Sequence, residues 1–236
     1  MADPRHYWLV MPAAGAGRRF GGTGPKQYAP LAGRTVLEVA LEPFLVDLRC
    51  QGIVLAVPAA ELAATSARWA GQERMRAVAG GERRCDSVLA GLAALLPHVP
   101  PEASVLVHDA ARPCLSSEDL DRLLAAGSGL ADGALLAAPV SDTIKREGSG
   151  GRSSGTVDRS GLWRALTPQM APLGRLHAAL SAALARGEAP TDEAQALEWA
   201  GAHPLLVAAS GANPKITTAG DLPLAEALLA HRAAGA

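Results

Sequence analysis

Pro12-Ala-Ala-Gly-Ala-Gly-Arg-Arg-Phe20, followed by Pro25-Lys26-Gln27, is a run of small residues with three cations close behind. Ala13, Ala14 and Gly15 leave backbone N–H groups open to a polyphosphate, because no large side chain blocks the approach. Two familiar phosphate loops do not fit. The dinucleotide fingerprint needs a glycine where Phe20 stands, counting from Gly15. The P-loop needs Gly-Lys-Ser/Thr, and at that spacing Gly17 is followed by Gly22-Thr23 without the lysine. What remains is a small-residue turn for a nucleoside triphosphate. Arg18, Arg19 and Lys26 can converge on it and neutralise charge that builds on the α-phosphate as pyrophosphate leaves.

Two further segments carry polar groups in useful places. Gly80-Gly81 precedes a helix start, with Ser87 one turn inside it. Free N–H groups at such a start can bind a base or a phosphate. His108-Asp109-Ala-Ala-Arg112 follows an apolar strand, which places Asp109 at the strand's carboxyl end, where it can hold Mg²⁺ or a ribose hydroxyl. Asp109 is also spaced to pair with Arg112. His108 reads as loop support rather than an acid–base group.

These segments need a frame that brings them together. Apolar runs at Tyr7–Met11, Gly52–Val57, Arg76–Ala79, Val105–Val107, Ala134–Ala138 and Leu205–Ala208 read as buried strands. Between them, Thr35-Val-Leu-Glu38 is a capping box. Helical patterns follow at Ala59–Ala70, Cys85–Leu96, Ser117–Ala126, Leu173–Arg186, Asp192–Ala200 and Asp221–His231. The alternation predicts right-handed βαβ units in a layered α/β sandwich, with ligands beyond the carboxyl ends of the strands. One stretch breaks the rhythm: Glu147-Gly-Ser-Gly-Gly-Arg-Ser-Ser-Gly155 is either a loose surface loop or the tip of a hairpin arm.

The chain of 236 residues suits one domain, and 49% hydrophobic residues suffice for a core. A net charge of −1 argues against non-specific nucleic-acid binding. Cys50, Cys85 and Cys114 lie far apart without metal spacing and read as reduced thiols. With no signal-peptide pattern and no apolar run of membrane length, a cytoplasmic location is expected.

The loops P-A-A-G-A-G-R-R-F, T-G-P-K-Q-Y, G-G-E-R-R-C-D-S-V, V-H-D-A-A-R-P, A-P-V-S-D-T-I-K, T-V-D-R-S-G-L-W, L-T-P-Q and T-D-E-A occur in that order. Together they resemble the 2-C-methyl-D-erythritol 4-phosphate cytidylyltransferases of non-mevalonate isoprenoid synthesis, from about Val10 to Leu228. The resemblance implies a Rossmann-like three-layer nucleotidyltransferase sandwich with a mostly parallel sheet and a projecting β-hairpin arm. It implies one domain over 1–236, in which 140–160 form an arm for dimerisation and substrate binding. The implied reaction joins CTP and methylerythritol phosphate, with Mg²⁺, to give CDP-methylerythritol and pyrophosphate.

Residue by residue, the resemblance assigns transition-state cations to Arg19 and Lys26, and cytosine contacts to Gly80, Gly81 and Ser87. Asp109 matches the family's aspartate. Arg159 and Lys215 match the residues that position the acceptor, with Thr143, Thr167 and Arg112 in neighbouring segments. The implied assembly is a homodimer in which the arm of one copy completes its partner's site. Pro214 departs from the pattern, standing where an aliphatic residue is expected before Lys215, and it favours an extended path at Asn213. A cytidylyltransferase for another polyol phosphate, such as ribitol 5-phosphate, is the nearest alternative. A non-catalytic nucleotide-binding regulator would not need cations at the α-phosphate, and a nicotinamide oxidoreductase fails on Phe20.

Overall fold

The computed structural model describes residues 5–15, 20 and 25–235. Its centre is a seven-stranded sheet formed by β1 (Tyr7–Pro12), β4 (Cys50–Val57), β5 (Met75–Ala79), β6 (Ser104–Val107), β7 (Ala134–Pro139), β10 (Trp163–Pro172) and β11 (Leu205–Ala208). The spatial order is β11-β7-β10-β6-β1-β4-β5. All neighbours pair parallel except β10, which runs antiparallel to both β6 and β7.

β1 and β7 are apolar, and β4 and β6 nearly so, because both faces of the sheet's centre are covered. Tyr7, Leu9 and Met11 of β1 pack against Leu37, Leu41 and Phe44 of α1 (Val36–Val46), in a core that α4 (Ser117–Gly127) extends with Leu120, Leu123 and Leu124. Val10, pointing the other way by the period of two, meets Val88 and Leu92 of α3 (Arg84–Leu95). Leu173, Leu176 and Leu180 of α5 (Leu173–Ala185) and Leu197 of α6 (Glu193–Trp199) complete that second core. Each fully buried large apolar side chain stabilises the fold by roughly 1.5–3 kcal/mol. Gly91 lets α3 approach β1: a Cβ there would lie 2.5 Å from Val10 Cγ1.

Thr35 caps α1 as its sequence predicts. Its hydroxyl accepts from Glu38 N at 3.2 Å, and Glu38 Oε2 accepts from Thr35 N at 2.8 Å, a device worth about 1 kcal/mol. Thr35 ends a small hairpin of β2 (Pro30–Leu31) and β3 (Arg34–Thr35). On this hairpin rests α7 (Leu222–Gly235), whose Ala225 joins Leu31, Val36, Val39 and Ile216 in a third apolar cluster. The segment Ala59–Ala70 is shorter than expected as an α-helix: a 3-10 turn at Ala59–Glu61 leads into α2 (Leu62–Arg68).

Residues 140–160 form a hairpin, β8 (Ile144–Glu147) against β9 (Ser153–Val157), outside the main sheet. Its glycine-rich tip has a structural use, since Gly150 and Gly151 adopt φ of 66° and 70° in the turn. Cys50, Cys85 and Cys114 are buried and unpaired. Among the described residues, no helix is long and apolar enough to cross a membrane.

Candidate functional site

β1 and β6 lie side by side and parallel, yet the chain leaving β1 turns toward β4 on the opposite side. Their carboxyl ends therefore flank the crevice that such a reversal of strand order creates. Ala13, Ala14 and Gly15 line one wall of this cleft, Gly81 and Ser87 another, and Lys26, Asp109 and Lys215 complete it. Gln27, which is buried, donates from Nε2 to Ala13 O at 2.8 Å and so ties the Lys26 turn to the end of β1. Gly80 must lack a side chain: a Cβ there would lie 2.6 Å from Ala14 Cβ and 2.8 Å from Ser87 Oγ. The Ser87 hydroxyl accepts from Gly81 N at 3.1 Å and so holds the glycine turn in shape.

Asp109 is the electrostatic centre. Its side chain is 8% exposed and receives Arg84 Nε at 2.8 Å on one oxygen and Lys215 Nζ at 2.7 Å on the other. Arg112 Nε stands at 3.7 Å. Burial alone would raise its pKa, but Arg84 and Lys215 outweigh burial and hold the carboxyl well below the usual carboxylate range. Arg84 in turn is held by buried Glu193, at the start of α6, through two bonds of 2.7 and 3.0 Å. Burial pushes the Glu193 carboxyl upward in pKa, against the pull of Arg84.

A hydrogen-bond chain fixes the backbone beneath Asp109. His108 Nε2 lies 2.9 Å from Arg112 O, which can only accept, so Nε2 carries the proton. His108 Nδ1 then accepts from Thr167 Oγ1 at 3.0 Å, and the same Oγ1 accepts from Asp109 N at 3.2 Å. Burial lowers the His108 pKa to about 4, so the ring is neutral at pH 7 and acts as loop support. Thr167 reaches this position because β10 runs antiparallel: Gln169 pairs with Val107 of β6, which sets Thr167 level with Asp109.

Residues 213–216, between β11 and α7, strap the loops together. Asn213 O accepts from Arg112 Nη1 at 2.8 Å, and Asn213 Nδ2 donates to Thr167 O at 2.9 Å. Ile216 N donates to Ala111 O at 2.7 Å, and Ile216 O accepts from Lys26 Nζ at 2.9 Å. Despite Pro214, Lys215 thus reaches Asp109.

Of the residues expected at the site, Ala13, Ala14, Gly15, Lys26, Gly81, Ser87, Asp109 and Lys215 meet in this cleft, and Gly80 supports its wall. Arg112 and Lys215 also line a neighbouring cavity, whose wall includes Leu166 beside Thr167. Arg19, like Arg18, lies outside the described residues. Thr143 and Arg159 stand exposed at the root of the hairpin and line neither cavity, and Arg159 donates to Ser141 O. Sequence reasoning overlooked Arg84 and Glu193, although both sit within the quoted G-G-E-R-R and T-D-E-A segments. Among the described residues no cluster of three His, Cys, Asp or Glu side chains forms a metal cage.

The family model for 2-C-methyl-D-erythritol 4-phosphate cytidylyltransferase matches residues 7–231. The protein of that name from Halorhodospira halophila is 52% identical over 239 residues, covering 97% of this chain and 96% of its own. A crystal structure of a 4-diphosphocytidyl-2C-methyl-D-erythritol synthase superposes with a TM-score of 0.82 at 38% identity, over 95% of this chain and 98% of that one. The 2-C-methyl-D-erythritol 4-phosphate cytidylyltransferase of Francisella tularensis gives 0.81 at 31% identity, over 94% and 99%.

Proposed function

This chain belongs to the 2-C-methyl-D-erythritol 4-phosphate cytidylyltransferase family, and we propose that the crevice between β1 and β6 is where it performs the family's reaction. It transfers a cytidylyl group from CTP to 2-C-methyl-D-erythritol 4-phosphate in isoprenoid precursor synthesis. An oxygen of the acceptor phosphate attacks the α-phosphorus of CTP. The bond from that phosphorus to the β-phosphate oxygen breaks, and its electron pair leaves with pyrophosphate. A phosphate monoester is already anionic at neutral pH, so no side chain has to remove a proton.

The work left to the protein is positioning and charge stabilisation. The backbone of Ala13–Gly15 receives the triphosphate, while Gly80, Gly81 and Ser87 form the seat for cytosine. Lys26, with Arg19, stabilises the charge that grows on the α-phosphate and the leaving pyrophosphate. Lys215, Arg112 and Thr167 position the acceptor phosphate. The observation that carries this reading is the meeting of Lys26 and Lys215 in one cleft, the first through Ile216 O and the second through Asp109, opposite a floor of small residues.

Mg²⁺ is the expected companion of CTP, and it supplies charge neutralisation of the phosphates. Both Asp109 oxygens already face cations, and Mg²⁺ needs six oxygens. The side chains therefore suit a metal carried mainly by the triphosphate and water, with Asp109 the residue nearest to serve. Residues 1–236 act as one domain, and the arm at 140–160 serves a homodimer in which Thr143 and Arg159 of one copy complete the acceptor site of the other. Exposure of both residues away from their own chain's cleft supports that exchange.

The test is pyrophosphate release from each of four nucleoside triphosphates, paired with methylerythritol phosphate or ribitol 5-phosphate. CTP with methylerythritol phosphate is the expected productive pair. Turnover only with ribitol 5-phosphate, or only with another triphosphate, would overturn the reading.

A further inference from the structure

A second cavity of about 730 Å³ adjoins the crevice, and Lys215 lines both. Its other charged lining residues are Arg112 and Arg164, and no carboxylate is among the described residues that line it. Arg164 opens β10 one residue after Trp163, three positions before Thr167, and pairs in register with Ala138 of β7. Because β10 is antiparallel, this start of the strand arrives at the edge where β1 and β6 end. The guanidinium lies over the turn at Gly211, where a Cβ would stand 3.8 Å from Nη2.

The charges around the shared wall do not cancel. Arg84 is matched by Glu193, and Lys215 by Asp109. Arg112 shares Asp109 at 3.7 Å, so Arg84, Arg112, Arg164 and Lys215 face only two carboxylates and two positive charges remain in excess, with Arg164 near enough to oppose the charge on Arg112. Arg112 Nε is buried without a hydrogen-bond partner, and among the described residues no carboxylate pairs with Arg164. Like charges gathered at a cavity in excess of the carboxylates beside them call for an anionic ligand. A net charge of two matches a phosphate monoester dianion.

We infer that Arg164 is a substrate-contacting residue that, with Arg112, seats the dianionic phosphate of the acceptor beside Lys215. The assignment rests on the cytidylyl-transfer reading and adds to it the residue that separates a phosphomonoester from an uncharged polyol. A guanidinium can present two parallel N–H donors to phosphate, which a lysine cannot. Arg164 is exposed, so its replacement leaves the fold intact.

Pyrophosphate release by the full chain tests this. Arg164→Gln should raise KM for methylerythritol phosphate tenfold or more, with KM for CTP within twofold of the parent, and Arg164→Lys should recover part of the loss. An acceptor KM within twofold of the parent, or an equal rise in both KM values, overturns the assignment. A parent chain inactive with methylerythritol phosphate would instead count against cytidylyl transfer. Calorimetric titration with inorganic phosphate, in saturating CTP, then decides on Arg164 without turnover. Weaker phosphate binding by Arg164→Gln supports the seat, and equal binding refutes it.

Discussion

Replacing Glu193 by glutamine removes one charge from the middle of the Arg84 network and changes little in shape. Glu193 is 2% exposed and holds Arg84 through two bonds, while Arg84 is 25% exposed and keeps its bond to Asp109. At an effective dielectric of about 20, two charges 4 Å apart attract by roughly 4 kcal/mol. Leaving a buried partner unpaired costs about 3–5 kcal/mol. Both figures are reduced here, because Glu193 is freed from its own desolvation and Arg84 retains Asp109 and some water. We therefore expect a loss of about 2 kcal/mol. For a chain of this length that is a fall in Tm of roughly 4–8 °C, read by calorimetry or thermal denaturation followed by circular dichroism. The paired replacement Glu193→Leu with Arg84→Met should recover part of the stability lost by Glu193→Leu alone, since it removes the unmatched Arg84 cation while Asp109 keeps Lys215. It should not recover turnover, because Asp109 loses the Arg84 bond that orients it. A Glu193→Gln protein that melts with the parent would refute the view that this pair holds the site.

Lys26→Ala should lower kcat by about 10²–10³-fold, the usual effect of losing one group that stabilises transition-state charge, while CTP binding weakens much less; near-normal turnover in a steady-state assay would exclude that role. Arg159→Ala should raise chiefly KM for the acceptor, and light scattering should report a dimer; a fully active monomer would remove the arm exchange. His108 has its pKa lowered to about 4 by burial, below its value near 6.5 in the unfolded chain. The unfolded state therefore binds more protons between these values, and stability falls as pH drops through that window by about 3 kcal/mol from this residue. Glu193, shifted upward, works in the opposite sense. Urea denaturation of His108→Gln against the parent at pH 7 and pH 5 isolates the histidine, and an unchanged difference between the two proteins would contradict its neutral burial.

β1, β4, β6 and β7 were legible because each is a short, largely apolar run buried on both faces. β10 was not. Pro168 and Pro172 interrupt its pattern, Arg164 stands near its start, and Thr167 and Gln169 are buried polar residues whose partners lie far along the chain. The glycine turn and the small-residue loop showed themselves through residue type, since close backbone approach demands small side chains. Arg84 and Glu193 escaped for the opposite reason. Asp192 announces a helix start, and its side chain does accept from Gln195 N, so an acidic residue just after it reads as one more solvated charge in the first turn. Only the packing of α6 against α5, with Arg84 of α3 reaching across to it, puts that carboxylate inside. Lys215 and Arg112 likewise owe their place to pairing across about a hundred residues of sequence, which local pattern does not report and resemblance alone supplied.

The strap at 213–216 has a consequence for how this protein would respond to inhibitors. Its main chain and side chains touch Lys26 and Asp109 on the nucleotide side and Arg112 and Thr167 on the other. A compound that shifts this strap from either direction is expected to change binding at the opposite cavity, which competition titrations with and without the second ligand would measure. Thermodynamic linkage makes the two effects equal in size. If the strap couples the two cavities in this way, screens run with and without the second ligand should rank the same compounds differently.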